Sequence, residues 1–348
     1  MAFVMSAHGP EDIFGSLGED PLNEAARIYH RLALYTHPDA GGDSDAFVKL
    51  SEFWEKAQKQ IAAGVYGTRD AAAHGLRVQS RKRAYTLGYR LGRGDIADVY
   101  EATDAEGKHY ALKLVRTPSN ADLIQNEAKT LKVVAEATEE KWRVYLPTLA
   151  DSFVVKDPIA RTHRRAVVTE SLDGFVSLAE VINAYPDGVH AKDMAWMWRR
   201  LLIAIDLAHQ AGVVHGAILP PHVMIHPVMH GLVLVGWTAS TEIGGKVGLL
   251  SKGYRDMYPE EVISKGKAGP ETDIYMAAQT MIAILGGKAM LGERAPRPMR
   301  AHFAACTLKS LWQRPADAWR VKESFDELIE KLYGPRKYRP FTMPIGRT

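Results

Sequence analysis

Two glycines one residue apart, Gly92 and Gly94, stand between two β-patterned stretches, Tyr85–Leu91 and Val99–Ala102. A tight turn with so little side chain at its tip joins strands that run back to back. A second turn, Asp104-Ala105-Glu106-Gly107, leads to the strand-like run His109–Val115, which is apolar apart from its edge and one cation, Lys113. A helical pattern follows and carries Glu127 within Asn126-Glu127-Ala128-Lys129-Thr130-Leu131. Either charge alone reads as a solvated surface group. The order of glycine turn, lysine strand and glutamate helix argues against that bland reading.

Later stretches extend the pattern. Arg165–Leu172 has the pattern of a strand and carries Thr169 and Glu170. Asp193–Gln210 is a long amphipathic helix whose Trp196, Trp198, Leu201, Leu202, Ile205 and Leu207 read as core. It delivers the chain to Val213-Val214-His215-Gly216-Ala217-Ile218-Leu219-Pro220-Pro221-His222-Val223-Met224. Then come Gly231–Thr238, Tyr258-Pro259-Glu260, Asp273 and Arg314-Pro315. In this order the blocks resemble those of a protein kinase, and the resemblance covers residues 85–335. It implies a bilobal α+β fold with a nucleotide between the lobes. By that resemblance Gly92, Gly94, Ala97 (in place of a third glycine) and Val99 form the G-x-G-x-x-G-x-V loop. Ala111 and Lys113 match V-A-I-K, and Glu127 orients the lysine toward phosphate. Thr169 is the gatekeeper and Glu170 the first hinge residue. His215, Trp237, Glu260, Asp273 and Arg314 are structural, with Arg314 expected to pair with Glu260.

The chemistry of the family is incomplete. In H-R-D-L-x-x-x-N the aspartate falls on Ala217 and the asparagine on His222, and in D-F-G the aspartate falls on Gly236. Losing a general base costs ~10²–10⁴-fold, and losing the metal ligands removes the counter-charge of the phosphates. The resemblance therefore implies a pseudokinase that has ATP as its ligand and has lost its magnesium positions. Asp95 and Asp98 lie in the glycine loop, where an inward carboxylate repels phosphate. His215, His222, His226 and His230 cluster without a Cys or an acid beside them, so no metal site is expected. Thr238, Ser240, Thr241 and Ser251 are ordinary loop residues that another kinase could phosphorylate.

The first sixty residues have a different character. Glu11–Gly18 suits about two helical turns, Pro21 opens a helical pattern over Leu22–Thr36, and a second runs from about Asp45 to Ala62. Between them lie His37-Pro38-Asp39 and the polar loop Ala40–Asp45. A helical hairpin whose His-Pro-Asp is only a turn explains the pattern minimally. The flanking Tyr29-x-x-Leu32-Ala33-Leu34 and Phe47-x-x-Leu50-Ser51-Glu52 carry more: residues 10–63 resemble a J-domain of the DnaJ family. That resemblance implies an all-α unit that docks a DnaK-type heat-shock chaperone and stimulates its ATPase. His37, Pro38 and Asp39 would carry the stimulation, and Arg27 and Arg31 the positive docking face. His30 sits where these helices usually carry a lysine or arginine and weakens that face at neutral pH.

Residues 64–84, with Gly64, Gly67, Gly75 and the cluster Arg77, Arg81, Lys82 and Arg83, read as a basic linker; residues 336–348 read as a basic tail. The expected organisation is thus multidomain: a J-domain at 10–63, a linker, and a kinase-like domain at 85–335. With 44 Lys and Arg against 41 Asp and Glu, the net charge of +3 makes no case for nucleic acid. Cys306, the single cysteine, excludes a disulfide framework and fits a reducing cytoplasm. No signal peptide or transmembrane run is expected. The function expected first is a co-chaperone whose kinase-like half is a nucleotide- or client-binding scaffold. An atypical ATP-dependent protein kinase or other transferase is the alternative. A nucleic-acid scaffold resting on Arg77–Arg83, Arg336, Lys337 and Arg339 is a weaker third.

Overall fold

A computed structural model describes residues 4–5, 7, 10–15, 20–38, 41–62, 76–157 and 162–344. The N-terminal part is helical, with α1 (Glu11–Phe14), α2 (Pro21–Thr36) and α3 (Ser44–Ala62). Pro21 enters at the first turn of α2, and Asp20 caps it by accepting from the Asn23 amide. Phe14, Ala25, Ala46, Leu50 and Ala57 form a small core, closed by Tyr29 stacked on Trp54. Apolar residues at three- and four-residue spacing thus meet across the hairpin, as the sequence pattern requires.

The small lobe is a six-stranded antiparallel sheet with one helix against it. Its strands are β1 (Arg77–Gln79), β2 (Ala84–Arg93), β3 (Ala97–Thr103), β4 (His109–Val115), β5 (Leu149–Asp157) and β6 (Thr162–Glu170), in the order β1-β2-β3-β4-β6-β5. The helix is α4 (Ala121–Ala137), which buries Ile124, Ala128, Leu131 and Val134. The linker expected over 64–84 is shorter at its C-terminal end. Arg77–Gln79 pair with Ala84–Thr86 as an edge strand. Arg83 bonds Asp104 at 3.1 Å and also the Tyr110 hydroxyl, which turns part of the basic cluster inward. Val78 between Arg77 and Gln79 supplies the reason: it is one apolar position buried under the sheet.

The large lobe is mainly helical: α5 (Leu178–Ala184), α6 (Ala191–Gln210), α7 (Glu260–Ile263), α8 (Pro270–Ile284), α9 (Gly287–Arg294), α10 (Arg297–Cys306) and α11 (Ala318–Tyr333). Short strands β7 (Val176–Ser177), β8 (Val213–Val214), β9 (Val223–His226), β10 (Gly231–Leu234) and β11 (Thr241–Glu242) frame the stretch after α6. Trp198, Leu201, Leu202 and Ile205 of α6 are core, as their spacing predicts. The tail expected to start at 336 also packs on this lobe. Phe341 is buried against Tyr185 and Trp196, Arg339 pairs with Asp193 at 2.9 Å, and Arg336 pairs with Asp326 at 2.6 Å. One aromatic residue and two acidic partners dock a segment that composition alone marks as basic. Among the described residues no helix is long and apolar enough to cross a membrane.

Candidate functional site

The cleft between the lobes is built from the glycine turn, β4, α4 and the loops after β8 and β10. Lys113 stands opposite Val99 on β3 and opposite Val167 on β6. Its Nζ reaches the two carboxylate oxygens of Glu127 at 2.8 and 2.7 Å. Thr238 closes a triangle: its hydroxyl donates to Glu127 at 2.7 Å and accepts from Lys113 at 3.3 Å. Burial alone would push the Glu127 carboxyl up. The Lys113 charge and the hydrogen bonds from Lys113 and Thr238 outweigh it and hold the group below its usual range. Two further bonds fasten α4 to the segment after β10. Asn126 donates to the Ser240 carbonyl at 2.8 Å, and the Thr130 and Ser240 hydroxyls are 2.9 Å apart. Thr238 and Ser240 are buried and committed to these bonds, so they are not accessible sites for modification, contrary to the expectation for this segment. Thr241 is half-buried. Thr238 escaped sequence reasoning because it occupies a position where the motif offers only glycine.

The glycine turn has room above it. A Cβ added at Gly92 would meet nothing within 4 Å, so packing in the fold does not require a glycine there. What the glycine provides is close approach to the backbone from the cleft side. Ala97, expected beside the ligand, instead turns into a cluster with Val115, Ile124, Ala128 and Val167. Its carbonyl accepts from the Gly94 amide at 2.9 Å, so its part in the turn is a backbone one. Asp98 is drawn to Arg116 at 2.9 Å and Arg93 at 3.6 Å, which neutralises one of the two loop carboxylates. Thr169 and Glu170 close β6 beside Ala111 and Tyr110, and Glu170 pairs with Lys108.

Asp273 organises the loop below. It is completely buried at the start of α8, and its two carboxylate oxygens accept the amides of His215 and Gly216 at 2.7 and 2.8 Å. His209 lies 3.0 Å from the same carboxylate. The His215 ring is fixed at both nitrogens: Nε2 donates to the Val235 carbonyl at 3.0 Å and Nδ1 accepts the Ala217 amide at 3.3 Å. Burial pushes this ring down to about 4, in accord with a neutral tautomer that protonation at Nδ1 would disrupt. The ring also packs edge-on against Trp237, whose indole donates to the Leu234 carbonyl at 2.8 Å.

Ala217, His222 and Gly236, where the motif comparison expects two aspartates and an asparagine, lie together. His222 donates from Nδ1 to the Ala217 carbonyl at 2.7 Å, and its ring packs against Gly236. A Cβ at Gly236 would lie 2.6 Å from ring carbons of His222, and the Gly236 φ is +83°. The imidazole therefore fills the space that a side chain at 236 would use. Burial, then the charge of Lys113, lowers the proton affinity of His222, against the Ala217 bond and the carboxylates of Glu127 and Asp95. A neutral imidazole, a glycine and an alanine do not fit magnesium, which demands an octahedral shell of hard oxygen ligands. Among the described residues no three His, Cys, Asp or Glu side chains are grouped to hold a metal.

One expected pairing is displaced by a residue. Arg314 bonds Glu261, at 2.6 and 3.2 Å, rather than Glu260. Pro259 caps α7, Glu260 takes its first position and faces solvent, and Glu261 turns inward to Arg314 and the Thr272 hydroxyl. In the helical unit, Arg27 is exposed and Arg31 half-buried, one turn apart on α2. The His37 ring packs edge-on against Phe47, with centroids 4.7 Å apart, and Pro38 is exposed. Asp39 lies outside the described residues.

Residues 85–343 match the family described as protein kinase domain. Among solved structures, the crystal structure of the kinase domain of PF14_0431 is similar with a TM-score of 0.58 at 14% identity, covering 72% of this chain and 97% of that one. The kinase domain of PknI from Mycobacterium tuberculosis is similar with a TM-score of 0.54 at 16% identity, covering 73% and 98%. At these identities the likeness speaks for the fold.

Proposed function

This chain belongs to the protein kinase domain family, and from that premise we propose that its two-lobed half is a nucleotide-binding scaffold that works without dedicated magnesium. We propose further that the N-terminal helices recruit a DnaK-type chaperone to it. The observation that carries the first part is the contrast between two halves of one cleft. Lys113 is held by Glu127 and Thr238, whereas the His222 ring packs into the space beside Gly236. A bound ATP supplies the anionic phosphates that an oriented ammonium neutralises. Lys113 would meet them, the Gly92–Gly94 backbone would lie over them, and Thr169 and Glu170 would border the base.

Calorimetric titration of ATP into the whole chain tests this. The expected result is a similar affinity with magnesium and with a chelator. Lys113→Ala is expected to weaken binding ~10–100-fold, because a hydrogen bond to a charged group contributes about 1.5–3 kcal/mol. Affinity that rises more than tenfold with magnesium would sink the metal-free reading. It would favour the second one, an atypical ATP-dependent transferase, which the intact Lys113–Glu127 pair supports equally. Radiolabel transfer lost on Lys113→Ala is the mark of that alternative.

The recruiting role rests on the His37-Pro38-Asp39 corner between two amphipathic helices and on Arg27 and Arg31. His37→Gln should abolish stimulation of the chaperone's ATPase and leave helicity unchanged, because the ring packs at the corner rather than in the core. Equal stimulation by the wild type and His37→Gln would remove this role.

A further inference from the structure

On the large lobe, remote in sequence from the cleft residues, the start of α6, the end of α9, the start of α10 and the end of α11 surround a cavity of about 500 Å³. Its wall carries four cations, Lys192, Arg294, Arg297 and Arg300, against the one carboxylate of Glu293. Among the described residues none of the four has a carboxylate within 4.0 Å. This sets them apart from Arg199, Arg314 and Arg339, which are each paired.

Two further features point the same way. The N-cap of α10 is Pro296, which offers no side-chain acceptor, so the first amides of this ten-residue helix lack a side-chain cap, and Pro296 and Arg297 at this end line the cavity. The His190 ring at the rim is pushed down by burial and then by the charges of Arg339, Lys192 and Arg294, with Asp193 opposing. Lys192 extends over the Tyr333 ring, 4.8 Å from its centroid, which holds the ammonium at the cavity mouth.

We propose that this cavity binds a phosphate monoester. Several unpaired guanidinium groups suit the planar, multidentate recognition of a doubly charged oxyanion. The volume falls in the ordinary range of ligand pockets and exceeds what a bare anion needs. A long polyanion suits it less well, because Glu293 interrupts the cationic wall. The ester is either a phosphorylated side chain of a peptide or a small phosphorylated molecule, and the test separates the two.

The whole chain is titrated with orthophosphate, with serine phosphate inside a short capped peptide, with glucose 6-phosphate, and with the unphosphorylated peptide and glucose. The expected result is binding of the phosphorylated probes and none of their parents. A tenfold preference for the peptide or the sugar phosphate identifies the source. Comparable binding of all three assigns a site for the phosphate group itself. Arg297→Glu with Arg300→Glu should abolish this binding and leave ATP titration at the cleft unchanged. Both side chains are exposed, so the fold should tolerate them. Equal binding of phosphorylated and parent probes, or phosphate binding that survives the charge reversals, overturns the proposal.

Discussion

Asp273→Ala is expected to destabilise the large lobe by about 3–5 kcal/mol, enough to unfold much of it in a protein of ordinary stability. The carboxylate is the acceptor for the buried His215 and Gly216 amides and neighbours His209. Removing it leaves two buried donors unsatisfied, each costing about 1–3 kcal/mol. Asp273→Asn should fall in between, because its carbonyl can still accept one amide while its NH2 group faces the other. Urea denaturation followed by tryptophan fluorescence reads the effect, since Trp198 and Trp237 are both buried in this lobe. A loss below about 1 kcal/mol for the alanine variant would mean that the backbone bend at His215 stands without its acceptor.

Gly236→Asp, which puts the aspartate of the D-F-G pattern at this position, should cost about 2–4 kcal/mol of stability. The backbone there has φ of +83°, a conformation that aspartate tolerates better than most residues. The larger part of the cost is the contact with the His222 ring at 2.6 Å. His222→Asn alone loses the bond to the Ala217 carbonyl and should be mildly destabilising. The double variant should recover more than about 1 kcal/mol of the summed losses, a coupling of the size expected for residues in contact. It should also gain magnesium dependence in ATP binding, because two oxygen-bearing side chains then face one cleft. Strict additivity, measured by the same denaturation, would show that the two positions do not share space.

Much of this was legible in the chain because it rests on local order. The sequence of glycine turn, Lys113 strand and Glu127 helix survives translation into structure since each element has its own periodicity. That the motif's two aspartates and its asparagine fall on Gly236, Ala217 and His222 is likewise a reading of the sequence alone. What the letters could not convey is how the vacated space is used. The packing of His222 on Gly236 joins residues fourteen positions apart in the chain through a fold that only the lobe provides. The role of Thr238 is hidden likewise, since a threonine in a loop carries no signal until a lysine and a glutamate arrive from elsewhere. Arg314 shows the limit of motif matching at single-residue resolution: two adjacent glutamates satisfy the pattern, and only helical phase chooses Glu261. The docking of the segment up to Phe341 is hidden because charge dominates its composition, while one phenylalanine decides its place.

The bonds that fasten α4 to residues 238–240 have a consequence for timing and control. Thr238 to Glu127, Asn126 to Ser240 and Thr130 to Ser240 are three separate stitches between one helix and one loop. At a net ~0.5–1.5 kcal/mol each, breaking all three costs roughly 1.5–4.5 kcal/mol, which puts an arrangement with the helix swung outward anywhere from several per cent down to below about 0.1%. Swinging α4 away from this loop therefore requires all three bonds to break together.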